Sequence, residues 1–243
     1  LRGDLKGARE SYRLAIDSGR DRRDAEPEAW TLVQTATIFW HVGDYDGADA
    51  GFDKALEWVS EYPPALAGKG RVALARGDAK RAAELLSRSF EQSPLAETAW
   101  LLGDARTAAG DAEGAAKAYA LVEKEGSSDP RTLASFLATK NKDAARAVAL
   151  ASDEAKVRAD VYTDDARAWA LYRAGNFVEA KRASDRACRL GTKDARIVFH
   201  RGAILVAIGE GAAGRKLVRE ALQMNPKFDA VGAEEARKLA SEG

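Results

Sequence analysis

Apolar residues return every three or four positions through most of the chain, the spacing that places them on one face of an α-helix. No stretch alternates apolar and polar residues for long enough to indicate a β-strand. Short turns separate the helical stretches, and most of these turns contain the dipeptide Gly-Asp. The pattern therefore predicts an all-α protein whose helices are joined by tight turns.

The turns recur at a nearly constant distance along the sequence. With the glycine, or the residue in its place, as the anchor, the gaps between successive turns are 40, 34, 33, 32, 33 and 34 residues. The seven anchors are Gly3, Gly43, Gly77, Gly110, Lys142, Gly175 and Gly209. A fixed period of this length predicts a repeat array, in which each unit is a helix, a turn and a second helix.

Gly-Asp suits such a turn because it ends one helix and begins the next. Glycine tolerates the left-handed backbone that commonly closes a helix. The aspartate side chain can accept hydrogen bonds from the free amides at the start of the second helix, which typically contributes about 1 kcal/mol.

Small residues stand at a fixed distance from each anchor. Five positions after it lie Ala8, Ala48, Ala82, Ala115, Ala147, Ala180 and Gly214. The full pattern, small-x6-Gly-Asp-x3-Ala-x3-aromatic-x2-Ala, is clearest between Ala36 and Ala55 and resembles the tetratricopeptide repeat (TPR). The resemblance implies an α-α superhelix, a TPR solenoid of antiparallel helix pairs, with about six to seven repeats in a single domain over residues 1–243.

Three parts of the chain depart from this pattern. The first repeat is incomplete, since residues 4–17 supply only a second helix, and we expect the chain to be a fragment of a longer one that supplies the missing helix. The polar residues 18–27 should form a loop. Around Lys142 the repeat is short, and Asn141 is expected to take the role of the glycine.

The end of the chain predicts a capping helix over about residues 233–241, after Pro226. Its polar side chains are expected to face solvent, as the end of a solenoid requires. These side chains are Glu234, Glu235, Arg237 and Lys238. Residues 160–229 also resemble the closing repeats of many bacterial TPR proteins, in the segments 161–172, 190–194 and 225–228.

Composition excludes several classes of function. Lys+Arg and Asp+Glu both number 38, so no basic field favours nucleic acid. No apolar run approaches the roughly 18 residues of a membrane span. The single cysteine, Cys188, fits a reducing compartment and so favours a soluble cytoplasmic protein. Because the chain begins with Leu1, export with removal of a leader stays open.

Residues able to do chemistry are scarce and scattered. His41 and His200 are far apart in the array and form no zinc set with Cys188, which we expect to be a structural thiol. The pair Asp164-Asp165 is expected to cap a helix, with a cation site as the alternative. The sequence therefore predicts no enzyme, no cofactor and no metal.

The TPR resemblance implies a binding surface, because the first helices of such arrays line a concave groove for peptides or partner helices. Aromatic and arginine side chains are the usual anchors at such surfaces. The candidates on first helices are Trp30, Trp40, His41, Arg71, Trp100, Asp104, Trp169, Tyr172, Arg173 and Phe199. A shift of one residue in register would place any of these aromatics in the core instead.

The predicted function is a non-enzymatic scaffold that holds an extended segment or helix of a partner protein in this groove. The alternative is an assembly module that docks on an upstream domain or on another copy of the chain, by self-association. Some TPR arrays hold the carboxylate tails of chaperones with Lys and Asn. The matching positions here carry Val33, Thr37, Gly68, and Pro64 or Glu97, so this role is disfavoured.

Overall fold

A computed structural model of the protein describes residues 4–18 and 24–241. Within these residues the regular structure is α-helical and no strand occurs. The helices are α1 Leu5–Ser18, α2 Glu26–His41, α3 Tyr45–Trp58, α4 Pro63–Ala75, α5 Ala79–Gln92, α6 Ala96–Ala108, α7 Ala112–Glu125, α8 Pro130–Thr139, α9 Ala144–Val157, α10 Val161–Arg173, α11 Phe177–Ala187, α12 Ala195–Ala207, α13 Gly211–Met224 and α14 Gly232–Ser241. The all-α fold class is confirmed.

The Gly-Asp turns have the predicted geometry. Gly43 has a φ of 74°, and the amide of Asp44 bonds back to the carbonyl of Phe39 at 3.0 Å, which closes α2. The carboxylate of Asp44 then accepts a hydrogen bond of 2.9 Å from the amide of Gly47, in the first turn of α3. Asp78 and Asp111 cap α5 and α7 in the same way.

The turn at the degenerate repeat is one residue longer than the others. Asn141 takes the place of the glycine, with a φ of 52°, as predicted. The N-cap of α9 is Asp143, which accepts from the amide of Arg146 at 3.1 Å and itself has a φ of 39°. Two left-handed residues, Asn141 and Asp143, on either side of Lys142, therefore replace one glycine in this turn.

The described residues form two compact units, 4–125 and 126–241. In the first, α2 packs on α3, α4 on α5 and α6 on α7, while α1 packs on α2. In the second, the pairs are α8 with α9, α10 with α11 and α12 with α13, and α14 packs on α13. We call α2, α4, α6, α8, α10, α12 and α14 the first helices, and the others the second helices.

Small residues on the first helices receive large ones from the second helices. A methyl group on Gly103 would lie 2.2 Å from the ring of Tyr119, and one on Gly70 would lie 2.6 Å from Leu86. These distances are far below contact, so the absence of a side chain is what lets each pair close. The regular spacing of small and large residues in the sequence thus reflects this packing between paired helices.

Two local predictions about helix ends are wrong. Asp164 and Asp165 do not cap α10, because Asp160 does so by accepting from the amides of Tyr162 and Thr163 at 2.9 Å each. The carboxylate of Glu235 does not simply face solvent, because it forms an ion pair with Arg173. The capping helix itself is confirmed as α14. Part of the predicted loop, residues 19–23, lies outside the described residues, whereas α1 extends to Ser18 and α2 begins at Glu26.

Candidate functional site

A groove lies between the first helices α2, α4 and α6 of the unit 4–125. Its volume is about 270 Å³. The residues of these helices that line it include Gln34, Thr37, Trp40, Gly68, Arg71 and Glu97. Because the three helices follow one another in phase, residues more than 60 positions apart in the sequence meet around one opening.

Trp40, Arg71 and Glu97 form a ladder along the groove, one residue from each first helix. The guanidinium carbon of Arg71 lies 5.8 Å from the centre of the Trp40 ring. Its Nη2 donates to the Glu97 carboxylate at 2.6 Å. The side chain of Glu97 is 58% exposed, so water screens this ion pair, and such pairs contribute about 0–1 kcal/mol. A ligand carboxylate can therefore compete for Arg71 at little cost.

The wall of the groove owes its shape to Gly68 on α4. A methyl group there would come within 2.3 Å of the Phe52 ring, which also lines the groove. With glycine at this position, the α4 backbone and the aromatic ring lie side by side. Gln34 and Thr37 add polar groups to the groove, whereas Phe52 and Trp40 are 3% and 6% exposed, so only small parts of their rings reach it.

A second cluster is centred on Trp169 in the unit 126–241. The indole is 1% exposed and stacks on Tyr172 at 4.9 Å and on His200 at 3.9 Å between ring centres. Its Nε1 donates to the Thr139 hydroxyl at 3.2 Å. The guanidinium carbon of Arg173 lies 4.4 Å from the ring centre. Trp169 thereby ties α10 to α8 and α12.

His200 and Asp165 form a buried pair beside Trp169. Nδ1 of His200 is 3.0 Å from both carboxylate oxygens of Asp165. Both residues are buried, with 5% of His200 and 4% of Asp165 exposed. The pair links α10 to α12 through a buried polar contact.

Arg173 sits at the edge of the Trp169 cluster and reaches α14. Its Nη2 contacts both carboxylate oxygens of Glu235 at 2.6 Å. Burial raises the pKa of the neighbouring Tyr172 above its ordinary value, since the charged phenolate would be poorly solvated there. Arg173 lowers this pKa and Glu235 raises it, both by smaller amounts.

The ten predicted site residues divide by accessibility. Trp30 is 51% exposed and Arg71 lines the groove, whereas Trp40 lines the groove but belongs to the core and is only 6% exposed. His41, Tyr172 and Arg173 are half-buried. The other four are covered by neighbouring helices: Trp100, Asp104, Trp169 and Phe199. Asp104, for instance, accepts a hydrogen bond from the hydroxyl of Tyr119 at 2.7 Å.

The sequence did not predict which acidic residues pair with Arg71 and Arg173, and it did not predict the polar lining of the groove. Glu97 and Glu235 each lie more than 25 residues from the arginine that they bind. Gln34 and Thr37 carry no signal of their own, although both stand on the first helix that also holds Trp40. Cys188 packs with Val161 and Ile197, as a structural thiol would.

No helix in residues 4–18 and 24–241 has the length and apolar character needed to cross a membrane. Those residues also bring together no set of three or more His, Cys, Asp or Glu side chains arranged to hold a metal ion.

Comparison with known proteins agrees with the repeat architecture. No protein-family model matches the chain. A TPR repeat-containing protein of Pseudomonas aeruginosa is 53% identical over 53 residues, which cover 21% of this chain and 50% of that protein. The chain thus matches only half the length of this relative.

Solved structures of TPR proteins share the fold over nearly the whole chain. A tetratricopeptide repeat protein from Parabacteroides merdae has a TM-score of 0.53 and 16% identity, with 98% of this chain and 92% of that chain covered. A chain of the Cut9–Hcn1 hetero-tetramer of the APC/C has a TM-score of 0.55 and 16% identity, with 98% and 47% covered. With the helix pairs described above, these likenesses confirm that the chain has the fold of a tetratricopeptide-repeat solenoid.

Proposed function

We propose that the chain is a non-enzymatic protein-binding scaffold, and that the groove between α2, α4 and α6 holds an extended segment or a helix of a partner protein. The observation that carries this proposal is the ladder of Trp40, Arg71 and Glu97 along an open groove. Aromatic and arginine side chains anchor protein partners because they bury a large area and still offer a polar contact.

The groove, at about 270 Å³, has room for one or two side chains of a protein partner. Arg71 would take a carboxylate of the partner in place of Glu97. Trp40 and Phe52 beside it are only 6% and 3% exposed, so they would add little contact area.

A site-specific photo-crosslinker tests this proposal. Benzoylphenylalanine replaces Gln34, which lines the groove, or Lys80, which is exposed on the second helix α5. Each variant is irradiated in a bacterial lysate, with and without the further change Arg71→Glu. We expect crosslinked protein from position 34 alone, at least tenfold reduced by Arg71→Glu, because the reversed charge repels a partner carboxylate.

Circular dichroism of each variant confirms that the helices are intact before the lysate experiment. Equal crosslinking from positions 34 and 80, or crosslinking that Arg71→Glu leaves unchanged, would show that the groove is not the binding surface.

Self-association is the second candidate, and the surface of α1 favours it. Ala8 and Tyr12 occupy the repeat positions of Ala48 and Phe52, yet they are half-buried where the latter are buried. Leu14 on the same helix is 58% exposed. Sedimentation velocity over a range of concentrations tests this role: a dimer that Leu14→Lys abolishes supports it, and a monomer at every concentration removes it.

A further inference from the structure

The Trp169 cluster contains an arginine whose hydrogen-bonding capacity is only partly used. We propose that Arg173, with Trp169 and Tyr172, is a receptor for the glutamate of a partner helix, and that α14 occupies this receptor in the free chain. This second site lies in the unit 126–241 and is independent of the groove between α2, α4 and α6.

The receptor is rigid before any partner arrives. The rings of Trp169 and Tyr172 stack with 13° between their planes, and the guanidinium carbon of Arg173 lies 4.4 Å from one ring centre and 5.8 Å from the other. The Arg173 side chain is 17% exposed. Contact with the two faces restricts the guanidinium plane, so little conformational freedom is lost when a carboxylate binds.

The resident carboxylate does not use the receptor fully. Both oxygens of Glu235 contact the same nitrogen, Nη2, at 2.6 Å. The neighbouring Nε is buried and has no hydrogen-bond partner. Nε and Nη2 form one edge of the guanidinium, and carboxylates bind such an edge best with one oxygen on each nitrogen. A partner glutamate that adopts the two-point geometry therefore gains a bond that Glu235 lacks.

Helix α14 is short and buries only small residues. It has only ten residues, below the length of about 12–15 at which isolated helices become stable. Its buried residues are Gly232, Ala233 and Ala236, which are the smallest side chains available. The stabilisation from burial grows with the apolar area removed from water, so these contacts hold the helix more weakly than leucines would.

The sequence around Glu235, which occupies the receptor in the free chain, indicates the kind of partner helix that fits. Glu235 stands between Ala233 and Ala236, whose methyl groups allow close approach to the helices beneath. The receptor therefore fits a partner helix with one glutamate flanked by alanines on the same face. A permanent cap of the solenoid is the competing role for α14, and in that role no added peptide takes its place.

The first measurement is hydrogen exchange of α14 in the full chain. Glu235→Gln removes the charge from the contact, and Glu234→Gln is the matched control because Glu234 is exposed on the same turn. We expect amides of residues 232–241 to exchange at least tenfold faster in Glu235→Gln than in wild type or in Glu234→Gln. Equal exchange in all three chains would overturn the proposal.

The second measurement is binding of a fluorescent peptide with the sequence of residues 228–241, followed by anisotropy. We expect the Glu235→Gln chain to bind it at least tenfold more tightly than wild type does, because its own α14 competes less well. The same peptide with glutamine in place of Glu235 should bind the Glu235→Gln chain at least tenfold more weakly than the unchanged peptide.

Arg173→Lys in the Glu235→Gln chain keeps the positive charge over the rings but removes the two-nitrogen edge. We expect peptide binding to fall at least tenfold, with the helical circular dichroism unchanged. Binding that is insensitive to Arg173→Lys would overturn the proposal. So would the absence of binding to the Glu235→Gln chain at about 1 mM peptide, because a segment linked to its own site has an effective concentration of about this size.

Discussion

Asn141 is the residue at which the chain replaces the usual turn glycine with a side chain. Its φ of 52° is left-handed, a region that costs most L-residues about 1–2 kcal/mol and asparagine less. Its amide bonds to the carbonyl of Ala138 at 3.1 Å, in the place that Gly43 occupies after α2. The fold thus imposes the backbone conformation, and the sequence supplies the least costly alternative to glycine.

The first prediction concerns this residue. Asn141→Gly should raise the free energy of unfolding by about 0.5 kcal/mol, because glycine adopts a positive φ without steric cost. Asn141→Ala should lower it by about 1 kcal/mol. Urea unfolding followed by circular dichroism measures both. An alanine variant as stable as the glycine variant would mean that backbone strain is not what this turn selects against.

Small-to-large contacts are the other feature decided at single residues. Gly202 and Gly214 face each other on α12 and α13, where a methyl group on Gly214 would lie 2.5 Å from the carbonyl oxygen of Gly202. Backbone atoms cannot move aside as a flexible side chain can. The two helices therefore depend on glycine here for their separation, not for its conformational freedom.

At the scale of elements, α10 contributes most to the Trp169 cluster, because it carries Asp165, Trp169 and Arg173. Asp160 caps it, accepting from two backbone amides at 2.9 Å each. It also lies 3.7 Å from Arg131 at the start of α8. The start of α10 is thus fixed both within the helix and toward its neighbour.

The second prediction is that Asp160→Ala lowers the free energy of unfolding by about 1–2 kcal/mol, through loss of the cap. Asp160→Asn is the control, since asparagine keeps a capping oxygen and loses only the charge that faces Arg131. The control should lose less than half as much stability in the same thermal or urea titration. Equal losses would attribute the effect to the ion pair.

At the scale of the whole molecule, stability depends on charges that balance across helices. Asp49 on α3 accepts from Lys69 at 2.7 Å and from Arg76 at 2.8 Å. Burial raises the pKa of Asp49, but the hydrogen bonds from Lys69 and Arg76 outweigh it, so the pKa lies below the ordinary value of 3.8. The unfolded chain therefore binds this proton more readily than the folded chain does.

The third prediction follows from this sign. The contribution of Asp49 is present above its unfolded pKa and is lost as the pH falls through its lower folded pKa. Asp49→Asn should therefore be less stable than wild type at neutral pH, with a shallower fall in stability below about pH 4. Thermal unfolding from pH 7 to pH 2 measures this. Parallel acid profiles for the two chains would contradict the shift.

The fourth prediction concerns alkaline pH. Burial raises the pKa of Tyr62, Tyr162 and Tyr172, so each favours its neutral form in the folded state. The folded chain then keeps these protons longer, and its stability falls as the pH rises above about 10. Absorbance of phenolate against pH should show two classes of tyrosine among the six. A single class with an ordinary pKa would disprove it.

The sequence was enough to predict the repeat period, the all-α fold and the turns that join the paired helices. These features depend on local chemistry: the backbone freedom of Gly43, the capping oxygen of Asp44 and the spacing of small residues such as Ala48 act within a few positions of the chain. Local rules also account for Asn141 in the degenerate turn. They failed at Asp164-Asp165, because Asp160 lies closer to the true start of the helix.

Only the tertiary structure decided which first-helix side chains are accessible. Trp30 and Trp169 are both tryptophans on first helices, yet one is 51% exposed and the other 1%. The difference comes from groups far away in sequence, such as Thr139 and His200 around Trp169. The exposure of a side chain depends on contacts from several helices, whereas a repeat pattern in the sequence shows only which face of its own helix the residue occupies. The sequence therefore determined the scaffold, and packing between repeats determined its surface.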